Sequence, residues 1–151
     1  MPYRILTYPD DWLRFAVKPL PASMFGTEEL QDIVKDMVET LHENKGLGLA
    51  APQVGLNFRL FVAKCDALID VKAFINPIIT STKSEQIIEE GCLSFPGTFR
   101  KVLRARKVVV KAYDVEGKEF TERASGLYAA VLQHEIDHLE GITFMDKLPI
   151  K

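Results

Sequence analysis

The pentapeptide His134-Glu135-Ile136-Asp137-His138 sets two imidazoles and a carboxylate on adjacent turns of a segment with helical periodicity. At 3.6 residues per turn His134 and His138 stack on one face and can reach one cation, while Glu135 is angled toward an open coordination position. Those residue types make a metal site with its own proton shuttle. Two histidines at this spacing can also lie on a solvated helix face and bind nothing. Here Leu127, Ala130, Val131, His134 and His138 share one stripe, so the imidazoles continue an apolar face, and buried imidazoles need partners. The remaining histidine, His42, lies near the end of another helical segment and reads as structural or solvated.

A catalytic site of the zinc type has three protein ligands and one open position, so one ligand must come from elsewhere. An extended HExxHxxGxxH pattern needs a histidine at position 144, which is Phe144, although Gly141 is in step. A glutamate well beyond the helix has no chain to come from, since ten residues follow Gly141. The third ligand is therefore expected upstream, or at Asp146. Upstream, Cys92 in Glu90-Gly91-Cys92-Leu93-Ser94 is the best candidate, because a thiolate binds Zn, Fe or Co strongly and the preceding glycine allows a bulge or close backbone approach. A cysteine merely buried in a strand fits the same local sequence. Cys65, closing the run Leu60-Phe61-Val62-Ala63, reads as an inert core thiol. The stretch from Gly46 to Gly55 is rich in small residues and carries one neutral amide, Gln53. It lacks the pattern of a phosphate loop and serves equally as a plain helix-to-strand connection.

These residues need a scaffold, and the composition supplies one. With 151 residues, 47% hydrophobic and 26% charged, the chain reads as a single globular domain over 1–151. A net charge of -2 and a pI near 5.9 argue against nucleic acid as a partner. The one basic run, from Arg100 to Lys107, leads into Val108-Val109-Val110 and is expected to be a solvated strand face. There is no apolar run long enough to span a membrane and no secretory leader pattern, so a soluble protein is expected, in the cytoplasm first, with an organelle or a phage-infected host cell as the alternatives. Two cysteines are weak support for a disulfide.

Leu30, Ile33, Val34, Met37, Val38 and Leu41 recur at helical spacing and predict an amphipathic helix over 27–44. Strands are expected at 59–64, 73–76, 86–90, 107–113 and 118–123, the last two forming a hairpin, and a second helix over 125–140 with Gly141 as its cap. Helix, several strands, then helix favours an α+β domain over alternating βαβ units.

Taken together, GLGLAAPQ at 46–53, EGCLS at 90–94 and QHEIDHLEG at 133–141 resemble the three signature motifs of the peptide deformylases, in the family's order. Tyr8-Pro9-Asp10, Leu13-Arg14 and Phe144-Met145-Asp146 extend the resemblance over essentially the whole chain. The resemblance implies short, mostly antiparallel strands packed around a central helix bearing the HExxH motif, with an additional N-terminal helix. It implies a metallohydrolase that removes the formyl group from the N-terminal formyl-methionine of nascent polypeptides and releases formate. Cys92, His134 and His138 would bind one divalent metal, Fe(II) first, with Zn, Ni or Co as substitutes. Glu135 would be the general acid/base, and Gln53 with the backbone N–H of Leu93 would stabilise the oxyanion.

Leu127, Ala130 and Val131, with Leu47 and Ile88, are expected to line an apolar pocket for the methionine side chain, though they are equally placed to be ordinary core. The backbone around Leu47-Gly48 and at Gly91 is expected to pair with the substrate main chain. Glu90 is expected to pair with Arg104 and fix the cysteine strand. Many bacterial members continue into a further helix linked to ribosome docking. This sequence stops at Lys151, which leaves ribosome proximity without that helix as its basis, and Leu148-Pro149-Ile150 is expected to form a short strand or tail. A metallopeptidase of another kind and a non-catalytic metal-binding relative are the competing readings.

Overall fold

In the computed structural model of the chain, residues 1–65 and 70–149 are described. The first helix, α1, runs Glu28–Glu43; the Thr27 hydroxyl accepts the Leu30 N–H at 3.2 Å, and Glu28 and Glu29 complement the dipole in the first turn. Five strands follow, β1 Gly48–Ala50, β2 Leu60–Lys64, β3 Val71–Cys92, β4 Phe95–Tyr113 and β5 Glu119–Ser125, and then α2, Gly126–Leu139. The strands form one antiparallel sheet in the order β1-β2-β3-β4-β5.

The sheet lies between the two helices. Ala50, Phe61, Phe74, Val108 and Val110 pack with Ala129, Leu132, Ile136 and Leu139 of α2, whereas Leu49, Leu60, Val62 and Ile75 pack with Leu30, Met37 and Leu41 of α1. Neighbouring residues along each strand thus serve opposite cores, as period-two alternation demands.

Both helices and the β4–β5 hairpin lie where the periodicity places them. The hairpin turn is tied by Asp114 Oδ1, which accepts the N–H groups of Glu116 and Lys118, both at 2.9 Å. The central strands differ from expectation in length. The segments 73–76 and 86–90 are parts of one strand, and β4 begins twelve residues before the predicted start at 107. Where the expected strand 73–76 ends, Asn76-Pro77 is taken up by an irregularity in the β3–β4 register, with Asn76 at φ 49°. The basic run is likewise ladder, and Arg104 within it is buried rather than solvated.

Leu148 and Pro149 lie in no strand, and Ile150 falls outside the described residues. Among the described residues no helix is long and apolar enough to cross a membrane.

Candidate metal centre

Cys92 ends β3 at a tight turn, Leu93-Ser94, that leads straight into β4, and this turn meets α2 at its two histidines. Cys92 Sγ is 3.3 Å from His138 Nε2, which is 3.3 Å from His134 Nε2; one ligand atom from each residue lies within 4.8 Å of the others. Two imidazole nitrogens at 2.0–2.1 Å from a tetrahedral ion stand roughly 3.3–3.4 Å apart, so the donors already have the spacing a cation requires. Asp146, the other sequence candidate, is exposed, accepts the Thr143 N–H at 3.0 Å and is not in this cluster. Phe144, in the place of a third histidine, is buried against the His134 ring at 5.9 Å between centroids.

The orientation of His134 is set by β3. Its Nδ1 lies 2.9 Å from Glu90 Oε1, which directs Nε2 at Cys92 and His138. Arg104, the cross-strand neighbour of Gln86 on β4, grips both Glu90 oxygens at 2.8 and 3.0 Å and gives its third contact to Asp137 at 2.6 Å. Burial acts to raise the Glu90 pKa, but hydrogen bonds from His134 and Arg104 outweigh it and keep the carboxylate ionised. Burial opposes charge on His134, yet Cys92 and Glu90 prevail and hold its pKa well above the ordinary value. Burial, followed by the charges of His134 and Arg104, pushes His138 well below. A thiol and two imidazoles brought within 4.8 Å of one another are a donor set that suits a divalent metal ion.

α2 is fixed beside these groups by Gln133, whose amide accepts the Ala105 N–H at 3.0 Å and donates to the Ala105 carbonyl at 2.9 Å. Asp137, Gln133 and Ser94 lie inside the sequence motifs but were given no separate part by sequence reasoning. The signal for Asp137 was its place three residues after His134 on the same helical face.

Glu135 is 3% exposed, and its Oε1 has no hydrogen-bond partner among the described residues. Burial pushes its carboxyl pKa up to about 7. Its other oxygen lies against Gly48, where a Cβ would stand 2.6 Å away. Gln53, in the short 3₁₀ turn Ala51–Val54, accepts the Ala50 N–H through Oε1 at 2.9 Å. Its Nε2 is thereby turned to Ser94 Oγ at 3.1 Å and toward Cys92 Sγ at 3.7 Å.

A cavity of about 480 Å³ opens onto these groups. Leu47, Gly48, Gly91, Leu93, Leu127, Ala130 and Val131 line it together with Gln53, Glu90, Cys92, His134 and Glu135. Ile88 is half-buried and does not line it; the even-numbered side chain stands across from Val102 in the ladder instead.

Bound by these three groups as one thiolate and two neutral imidazoles, a divalent ion would keep a single net positive charge, beside a carboxyl of raised pKa and an amide donor. Chemistry of that kind is water addition to an activated carbonyl, and the class is that of metal-dependent hydrolases. Residues 2–151 match the family model for polypeptide deformylase, and the chain belongs to that family. It is 46% identical to a peptide deformylase of Chromobacterium violaceum over 95% of this chain and 85% of the relative. The crystal structure of the Thermotoga maritima peptide deformylase superposes with a TM-score of 0.93 at 36% identity, covering 99% of both chains. A class I type b peptide deformylase from Acinetobacter baumannii with Met-Ala-Ser bound gives a TM-score of 0.93 at 29% identity, over 98% of this chain and 99% of that one. The chain is a metal-dependent hydrolase that removes the N-terminal formyl group from nascent polypeptides.

Proposed function

We propose that the chain acts as one catalytic unit in which Cys92, His134 and His138 hold the metal, Glu135 moves the proton, and Gln53 with the Leu93 N–H steadies the formyl oxygen. The observation that carries this reading is the meeting of the three donor atoms within 4.8 Å beside a buried carboxyl. When bound, a divalent ion at this position supplies a Lewis acid and lowers the pKa of water toward about 7. Fe(II) is the assignment, by the family resemblance; the same donors accept Zn, Ni and Co.

The residues divide the work as follows. Glu135, with a pKa near 7, takes a proton from the attacking water and returns it to the departing amine nitrogen. The Gln53 Nε2–H, fixed by the Ala50–Gln53 bond, and the Leu93 N–H donate where negative charge develops on the formyl oxygen. Glu90 orients His134, and Arg104 orients Glu90. Ala130 and Val131, with Leu127 at the mouth, receive the methionine side chain, and the main chains at Leu47-Gly48 and Gly91 receive the substrate backbone. The Met-Ala-Ser peptide carried by the Acinetobacter baumannii relative begins with the residue this cavity is assigned to hold. The substrate is made where translation starts with formyl-methionine, which places the chain's work in a bacterial-type cytoplasm, an organelle or a phage-infected host cell.

The test is formate release from a formyl-methionyl peptide by anaerobically purified protein, run beside metal analysis and a peptide-bond cleavage assay. Formate with an intact peptide and about one metal per chain is expected. Cleavage of internal peptide bonds without formate would assign the site to another metallopeptidase.

A further inference from the structure

Residues 3–17 lie outside the sheet and outside α1 and α2, yet their backbone is bonded to both helices. The Tyr3 N–H donates to the buried Thr40 hydroxyl of α1 at 2.7 Å, and the Val17 N–H donates to the carbonyl of Leu139, the last residue of α2, at 3.0 Å. Tyr3 and Ile5 pack on the α1 core, and Leu13 is buried. Between these anchors the Leu6 N–H donates to the Gln53 carbonyl at 2.7 Å and the Tyr8 N–H to the Ser94 carbonyl at 2.8 Å.

Those two carbonyls belong to the two pieces of backbone assigned the oxyanion donors. Gln53 carries the amide itself. Ser94 is the second residue of the turn Leu93-Ser94, whose flanking residues Cys92 and Phe95 are paired in the ladder, so the Leu93 N–H moves with the Ser94 carbonyl. Among the described residues no backbone hydrogen bond joins the Gln53 turn to the Leu93-Ser94 turn directly. The side-chain contact from Gln53 Nε2 to Ser94 Oγ, 3.1 Å, spans the same gap, but it uses the amide that must serve the substrate. The bonds from Leu6 and Tyr8 use main-chain carbonyls instead and leave that amide free. Two residues of chain reach at most about 7 Å, so with both bonds made the two turns cannot drift apart. The Tyr8 ring stacks on Phe95 with centroids 5.1 Å apart, a second hold on the same turn.

We propose that residues 6–8 form a positioning clamp, whose two N–H groups tie the Gln53 carbonyl to the Ser94 carbonyl and so hold the Gln53 amide and the Leu93 N–H at the separation that one formyl oxygen requires. This rests on the reading of those two groups as oxyanion donors. Neither Leu6 nor Tyr8 lines the cavity of about 480 Å³, so the clamp acts on the reaction only through Gln53 and Leu93. Displacement of a positioned group by an ångström can cost about 10²-fold in rate, which makes a backbone bond remote from the substrate visible in kcat.

The test replaces the Ile5-Leu6 amide by an ester, using the α-hydroxy acid of leucine at position 6, which deletes the N–H and keeps the side chain. Formate release from formyl-Met-Ala-Ser is measured on the Fe(II)-loaded full chain, with kcat taken per bound metal so that a partly folded preparation still reports it. The ester should lower kcat by about 10- to 100-fold and change KM by less than about threefold. Leu6→Ala, which keeps the N–H and trims the side chain, should stay within about threefold of the wild type in kcat. Gln53→Ala should cost about 10²- to 10³-fold in the wild type but less than about tenfold in the ester chain, because a misplaced donor has little left to lose. An ester chain with wild-type kcat, an equal loss in Leu6→Ala, or losses from the ester and Gln53→Ala that multiply independently overturns the clamp. Full activity in Gln53→Ala itself defeats the oxyanion reading beneath it, a different failure.

Discussion

Glu90 Oε1 lies 2.9 Å from His134 Nδ1, so a carboxylate on a strand determines which nitrogen of a helix histidine faces Cys92 and His138. Two further contacts from Arg104 make that carboxylate single-valued in orientation. Glu90→Gln keeps the volume but removes the charge and sets an NH2 donor against a donor of Arg104 or His134, since both Glu90 oxygens accept. Metal affinity should fall about 10- to 100-fold, the usual cost of losing a ligand's supporting partner. Competition with a coloured chelator measures it, and an unchanged affinity would mean that α2 packing alone orients His134.

Arg104 is 4% exposed and stands between Glu90 and Asp137. Arg104→Leu would fill much of the space while leaving two carboxylates facing each other without their cation. A loss of about 3–5 kcal/mol in urea unfolding is expected, as for one partner removed from a buried ion pair. The double variant Arg104→Leu with Glu90→Leu should recover part of that loss. Equal destabilisation by the single and double variants would assign the loss to packing.

The HEIDH site was legible because its spacing is local and helical, and α1 and α2 were legible for the same reason. Cys92 is a different matter, since β3 and its hairpin bring it to α2 across a long loop of chain. Spacing alone could not choose between it and Asp146, and the motif resemblance chose. Arg104 was expected as the partner of Glu90 and is found there; only its burial was hidden by its basic neighbours, although Val102, Val108 and Val110 share its parity along β4 and all are buried. Parity along the run admits that burial but does not single it out, since Arg106 has the same parity and is exposed. The length of β3 was obscured at Asn76-Pro77, where the ladder bends through an irregularity that local sequence does not distinguish from a turn.

Glu135→Ala should keep its metal and lose turnover by about 10²- to 10⁴-fold, the range of a positioned proton carrier. Its carboxyl is not one of the three clustered donors, and Oε1 has no hydrogen-bond partner among the described residues. Metal content by elemental analysis beside formate release separates the roles. Parallel loss of metal and activity would make Glu135 a structural support rather than the shuttle.

Gly48 tests the same carboxyl from the other side. A methyl group there would stand 2.6 Å from Glu135 Oε2 and 2.8 Å from its Cγ, too close for either to stay in place. β1 is pinned to β2 through Gly48, Leu49 and Ala50, so the carboxyl and not the strand must yield. Gly48→Ala is therefore expected to lower kcat by at least tenfold with metal content unchanged. Overpacking should cost about 1–3 kcal/mol of stability, measured by urea unfolding. Activity at the wild-type level in a folded Gly48→Ala variant would show that Glu135 acts from another rotamer.

Chelation separates the centre from the scaffold. Cys92, His134 and His138 lie outside both apolar clusters, which are built from Phe61, Phe74, Val110 and Leu132 on one side and Leu30, Leu41, Leu60 and Ile75 on the other. The clusters hold the sheet between its helices without help from the cation. Removing the metal should therefore abolish formate release and lower the melting temperature by the lost binding energy, about 2.7 kcal/mol for an ion held at a hundred times its dissociation constant. The far-UV circular dichroism should stay native at 25 °C, in contrast to small zinc domains that unfold outright. Re-addition of Fe(II) under argon should restore both the melting temperature and the activity. Loss of the native spectrum on chelation would show that the two imidazoles and the thiol cannot face one another without their ion, and would make the metal part of the fold.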